Sequence, residues 1–268
     1  MNYIRNLFIV IFVLVFTHHS GQVSANPLSN MDAQKGSIDG GTLAIMLLSS
    51  FIIGNSVAWA MGAYPRDFPV QPYSQLEKEM IKDLSLEIEE NPDEPEVMVE
   101  LGELYFQHNE LDKADSLLER AVKLEPDNAE ALVISSANGA KQAGAMWDFT
   151  WGIRKLSKMD DVVSGLNRAV EIDPDNYKVR LYRMNVLLGF RNKKDNFHKI
   201  FEDEEWFLSK QKASPNAFPE EVNREFYQTL GKAYEINAEL ADSSEKKAKN
   251  LEKSRVYRMK ITPISTID

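Results

Sequence analysis

The chain has 268 residues, 31 Lys+Arg against 41 Asp+Glu, a formal net charge of -10 and no cysteine. The missing thiol excludes cysteine catalysis, disulfides, thiolate metal sites and lipid attachment at a cysteine. The negative balance suits the phosphate backbone of nucleic acid poorly, and the length suits one domain with appendages.

Residues 1–25 read as a secretory signal peptide. Arg5 is its only charged side chain, Leu7 to Phe16 is an unbroken apolar run, and Val23-Ser24-Ala25 is a small-residue cleavage site. A linker, 26–41, leads to a second apolar segment, 42–62, without a charged residue. That segment approaches the ~20 residues needed to span a bilayer. However, Ser49, Ser50, Gly54, Asn55 and Ser56 weaken it, and it ends in the A-x-A-like Ala58-Trp59-Ala60. It reads as a transmembrane helix, as the true signal peptide, or as an exported interfacial segment. The expected location is exported, periplasmic or membrane-tethered, with membrane association through 42–62; a cytoplasm-facing membrane protein is the alternative.

Pro65, Pro69 and Pro72 punctuate a linker over 63–73, because proline lacks a backbone donor and disfavours helix just before it. Ser74-Gln75-Leu76-Glu77 then matches a capping box. Leu76, Met80, Leu84 and Ile88 follow four apart, which predicts an apolar stripe on one helix.

Residues 95–128 read PEVMVELGELYFQHNELDKADSLLERAVKLEPDN. Leu101-Gly102, Tyr105, Ala114, Leu118, Ala121 and Pro126 occupy the key positions of a 34-residue helix-turn-helix period, with Met98 where a tryptophan is usual. Small Gly102 and Ala114 suit the crossing of two antiparallel helices, Tyr105 and Leu118 fill the gap, and Pro126 stops the second helix. Pro92 precedes Pro126 by one period, so 74–91 looks like half of an incomplete repeat. Asp173-Pro174-Asp175-Asn176 repeats Glu125-Pro126-Asp127-Asn128 with surplus residues between, which we place around 141–158. Tyr177 opens a third unit, and Leu230-Gly231 with Tyr234 marks a fourth, again with surplus residues in 191–217. Residues 240–258 are expected to close the array, with Ala248 and Leu251 facing inward.

This pattern resembles the tetratricopeptide repeat (TPR) family over about 74–258, most specifically at 95–128. The resemblance implies an all-α helical superhelix of helix-turn-helix repeats, two of them elongated by insertions, in an exported or membrane-associated bacterial protein, followed by a tail, 259–268. It also implies a non-catalytic scaffold or adaptor at the cell envelope that holds a protein or peptide partner in its concave groove. The corresponding face positions are Glu96, Val99, Glu103, Phe106 and Gln107 in the first unit and Glu130, Val133, Ala137 and Ala140 in the second. The third supplies Lys178, Leu181, Tyr182, Asn185 and Leu188, and the fourth Gln228, Lys232 and Glu235. The partner-binding set is taken as Val99, Glu103, Phe106, Val133, Ala137, Ala140, Leu181, Tyr182, Asn185 and Leu188, with Trp147 and Trp151 of the aromatic insertion.

That insertion, KQAGAMWDFTWGIRKLSK, either plugs its own helix pair or forms a contact lip, because aromatics beside arginine dominate interface hot spots. In a second functional reading it closes a pocket for a small ligand, making the chain an accessory of an envelope transport system. Family members that clamp a terminal carboxylate use Lys and Asn where this chain has Val99, Glu103 and Ile134, so that mode is not expected. No catalytic constellation, metal site, phosphate loop or cofactor motif is found, and no nucleic-acid partner is expected. His108 is expected to pack at a turn. Charge is uneven: 63–128 holds 18 acids against 6 bases, whereas Lys246 to Lys260 holds seven bases and one acid.

Overall fold

The structure, a computed structural model, describes residues 40–60, 66–146, 153–190 and 194–261. The chain divides into two compact units, Met1–Ala44 and Ile45–Asp268. Of the first, only the opening turn of helix α1 (Gly40–Ala60) is described. Among the described residues no helix is long and apolar enough to cross a membrane. The signal-peptide expectation lies outside the described residues.

The second unit is all-α. After the rest of α1 come α2 (Gln75–Glu90), α3 (Pro95–Gln107), α4 (Leu111–Leu124), α5 (Ala129–Ala145), α6 (Ile153–Ile172) and α7 (Tyr177–Leu187). A short 3-10 turn (Leu188–Phe190) precedes α8 (Lys194–Ala213), α9 (Glu220–Glu239) and α10 (Ser244–Met259). Sequence neighbours pair as α3 with α4, α5 with α6, α7 with α8 and α9 with α10.

The local sequence dictates the helix ends. The backbone N–H of Glu77 donates to Ser74 Oγ (3.2 Å), and that of Ser74 donates to Glu77 Oε2 (2.7 Å). This completes the expected capping box, which satisfies two otherwise orphaned donors. Pro95 starts α3 where no N–H is needed. Asn109 takes a positive φ of 62° in the α3–α4 turn, a conformation asparagine tolerates better than most residues. Asn128 and Asn176 cap α5 and α7 by accepting backbone N–H groups, which is what the repeated P-D-N motif is for.

Packing follows residue size. A Cβ on Gly102 would stand 2.9 Å from Leu118 Cγ, so the glycine is what lets α3 and α4 touch. Ala114, Leu118 and Ala121 are fully buried beneath it, and burying a leucine side chain contributes about 1.5–3 kcal/mol. The second pair repeats the device with the glycine on the other partner: Gly165 of α6 lies against Ser136 of α5. Toward the C-terminus, stacked Phe207 and Phe226, with centroids 3.9 Å apart, tie α8 to α9.

Three sequence expectations are corrected. In α2, Leu76 and Met80 are exposed, and Ile81, Leu84 and Ile88 pack on Val97 and Leu101 instead. The contact stripe follows spacing of three and four, not four alone, as a 3.6-residue helix requires. In α10, Leu251 and Ala248 are exposed and Ser254 with Tyr257 faces inward, because Gly231 of α9 lets the Ser254 backbone approach and Tyr234 of α9 stacks on Tyr257. Finally, of the surplus residues placed around 141–158, Lys141–Ala145 extends α5 and Ile153 onward belongs to α6, so among the described residues the extra length elongates the two helices instead of standing between them.

The proline-rich linker is no free tether from residue 66 onward. The Arg66 N–H donates to the Gly144 carbonyl (2.9 Å) and the Gln71 N–H to the His108 carbonyl (2.9 Å). Asn109 Nδ2 donates to the Pro69 carbonyl at 3.0 Å. Buried His108 stacks on Tyr73, with centroids 4.0 Å apart, and its ring nitrogens reach Gln71 O and Glu77 Oε1. His108 is therefore packed at the turn, as expected, but it also pins the linker to the first repeat.

Candidate functional site: a groove across the first helices

Helices α3, α5, α7 and α9 each turn one face toward a shared groove of about 1260 Å³. Helical spacing selects the lining. From α3 come Glu103, Phe106 and Gln107, and from α5 Ala137, Ala140, Lys141 and Gly144. Leu181, Tyr182 and Asn185 of α7 continue it, Leu188 and Phe190 follow from the 3-10 turn, and α9 adds Val222, Glu225 and Ile236. Arg66 and Phe68 of the docked linker form part of the wall. Phe68 can sit there because Gly144 has no side chain: a Cβ at that position would come within 3.3 Å of the phenylalanine ring.

The floor is apolar and the edges are hydrogen-bonded. On one edge Glu103 accepts from Tyr182 Oη (2.7 Å) and from Lys178 Nζ (2.7 Å), and Lys178 also donates to Glu130 (2.9 Å). Burial alone would pull the Lys178 ammonium down, but the hydrogen bonds and charges of Glu103 and Glu130 outweigh it and hold its pKa above the ordinary value. Burial, then the Glu103 charge, pushes the Tyr182 phenol up, so it stays a neutral donor. On the other edge Asn185 donates to Glu225 (2.7 Å) and accepts from Thr229 (2.6 Å).

The α5 end of the groove differs in charge. Lys141 Nζ donates to the Phe106 carbonyl (2.9 Å) and to Asn109 Oδ1 (2.7 Å), and lies 4.0 Å above the Phe106 ring. Burial lowers its pKa. No carboxylate among the described residues pairs with it.

The structure brings together Glu103, Phe106, Ala137, Ala140, Leu181, Tyr182, Asn185 and Leu188 of the sequence-chosen set. Val99 and Val133 are instead buried in the core and do not line the groove. Their faces are taken up by neighbouring helices. Trp147 and Trp151 lie outside the described residues. Gln228 and Lys232 are exposed away from the groove, where α9 presents Val222, Glu225 and Ile236. Sequence reading missed Lys141 by assigning it to an insertion, although it stands one helical turn beyond Ala137. Arg66 and Phe68 carry no local signal, because a linker's docking is decided by distant residues. Among the described residues no group of three or more His, Cys, Asp or Glu side chains is placed to hold a metal ion.

Residues 87–133 match the family model of the tetratricopeptide repeat. That stretch carries a tetratricopeptide repeat. The matched stretch covers the end of α2, the α3–α4 pair and the start of α5. No curated protein matches the chain. Among solved structures, it resembles a crystal structure of MamA at 14% identity and a TM-score of 0.44, covering 70% of this chain and 98% of that one. It also resembles TTC0263, a thermophilic TPR protein of Thermus thermophilus, at 14% identity and a TM-score of 0.45, covering 80% and 99%. A further MamA structure, MSR-1 C2, is similar at 20% identity and a TM-score of 0.40, covering 80% and 98%.

Proposed function

We propose that the chain is a non-catalytic scaffold or adaptor that holds a segment of a protein partner in this groove. The observation that carries the reading is the groove itself. Four non-consecutive helices converge on an apolar floor with hydrogen-bonded edges, and the edge groups are tied down before any partner arrives. Such preorganisation lowers the entropic cost of binding. A helix or extended peptide with apolar anchors suits it. A photo-crosslinking residue at Tyr182 should capture a partner in intact cells, whereas one at exposed Glu119, on α4, should not. Equal capture at both positions, or none at Tyr182, would rule out groove binding.

We further propose that the protein works at the cell envelope, associated with a membrane surface through α1. The supporting features are the leader-like 1–25 and an α1 without charged residues that exposes Ile45, Leu48 and Ile52. Exposed apolar surface of this kind calls for a cover. Replacing Ile45 and Leu48 by aspartate should move the protein from the membrane fraction to the soluble one. An unchanged distribution would overturn the assignment. N-terminal sequencing of the mature protein tests the leader separately.

A further inference from the structure

Resting on the groove as a partner site, we infer that it selects an acidic segment: a peptide whose Asp or Glu meets Lys141 while neighbouring apolar side chains lie along the floor. Lys141 is held from below by the Phe106 carbonyl and Asn109 Oδ1 and is braced by the Phe106 ring. Its ammonium has three donors, and two go to these neutral oxygens. The position is set by the protein, yet the charge has no carboxylate partner among the described residues. Arg66, on the linker wall beside Gly144, likewise forms no ion pair among them.

The groove's own acids do not compete for that end. Glu103 is satisfied by Lys178 and Tyr182, and Glu225 is held by Asn185. Nor is the positive end a by-product of a basic surface, since 63–128 holds 18 acids against 6 bases. Two cations left without carboxylates in or beside the most acidic part of the chain form a local exception that an acidic residue completes. A carboxylate brought to a partly desolvated, pre-positioned ammonium gives a charge-assisted hydrogen bond stronger than a neutral one. A basic peptide would leave Lys141 and Arg66 facing like charges, which is discrimination by repulsion.

The test pans random short peptides, displayed on phage, against the intact chain, Lys141→Met, Lys141→Arg and Ala140→Trp, which fills the floor. Leu188→Asp serves as a second blocking variant should Ala140→Trp fail to fold, and thermal melts establish folding throughout. Peptides that bind the intact chain but not the blocked one are expected to carry Asp or Glu beside apolar residues. Synthetic copies with Asn or Gln at those acids should bind about tenfold more weakly. Lys141→Met should erase that difference and Lys141→Arg should keep it. Groove-dependent peptides that are neutral or basic, or an acidic preference that survives Lys141→Met, would overturn the inference and leave the groove as a partner site. If no peptide depends on the groove, both readings fall.

Discussion

Arg183 of α7 grips Asp203 of α8 with two hydrogen bonds, Nε to Oδ2 at 2.9 Å and Nη2 to Oδ1 at 2.6 Å, and both side chains are buried. Arg180 adds a third bond to Asp203 at 2.6 Å. This ion pair locks the third helix pair, α7 with α8. Taking one partner away leaves the other buried and unpaired, which typically costs about 3–5 kcal/mol. Asp203→Asn should therefore lower the urea midpoint markedly. Replacing Arg180, Arg183 and Asp203 together by apolar residues of similar volume should cost far less, because no charge is then left without its partner. Equal losses in the single and triple variants would show that packing, not charge pairing, holds this site.

The α3–α4 crossing supplies a second prediction. Gly102→Ala gains up to about 1 kcal/mol of helix propensity. The added methyl would nevertheless sit 2.9 Å from Leu118 Cγ, and Leu118 is fully buried and cannot swing away. Overpacking of this kind costs about 1–3 kcal/mol, so the net effect should be destabilising. Adding Leu118→Ala should relieve part of the strain, so the double variant should fall short of the sum. Strict additivity in denaturation would argue against direct contact.

Acid should loosen the linker before it melts the repeats. Hydrogen bonds from Ser74, then from His108, lower the Glu77 carboxyl from 4.5 to about 2. Its folded pKa is depressed, so its contribution is fully present above pH 4.5 and is lost as pH falls through about 2. The Gln71 amide, which donates to the His108 carbonyl, should lose hydrogen-exchange protection over this range while amides within α5 keep theirs. Glu77→Gln should show the loosened linker at neutral pH. Protection at Gln71 that does not change with acid would sink this account.

Alkali should act on the opposite side of the groove. The Lys178 pKa is raised in the folded state, so its contribution is present below 10.5 and is lost as pH rises through the folded value. Lys178→Met should cost about 1–2 kcal/mol at neutral pH, because hydrogen bonds to Glu103 and Glu130 are charge-assisted but only partly shielded. The variant should also show a smaller fall in melting temperature above pH 10.5 than the parent. An identical alkaline fall would place the sensitivity elsewhere.

The repeat architecture was legible in the chain because it rests on short-range rules. Gly102, Ala114, Leu118 and Pro126 act within one helix-turn-helix, and proline stops, asparagine caps and residue sizes declare themselves at fixed spacing. The face positions implied by the family resemblance put eight of the chosen side chains on the groove. That carry-over does not hold for Val99 and Val133, where apolar character suits a groove floor and a helix interface equally and only the packing of neighbouring helices chooses. Local rules were silent on Arg66, Phe68 and Lys141, whose roles depend on backbone brought together across the fold. The docked linker, the buried Arg183–Asp203 pair and the Lys141 ammonium seated on neutral oxygens at the α5 end are all long-range juxtapositions. Hydrophobic periodicity carries no record of them, because it reports which face of a helix is covered and not what covers it.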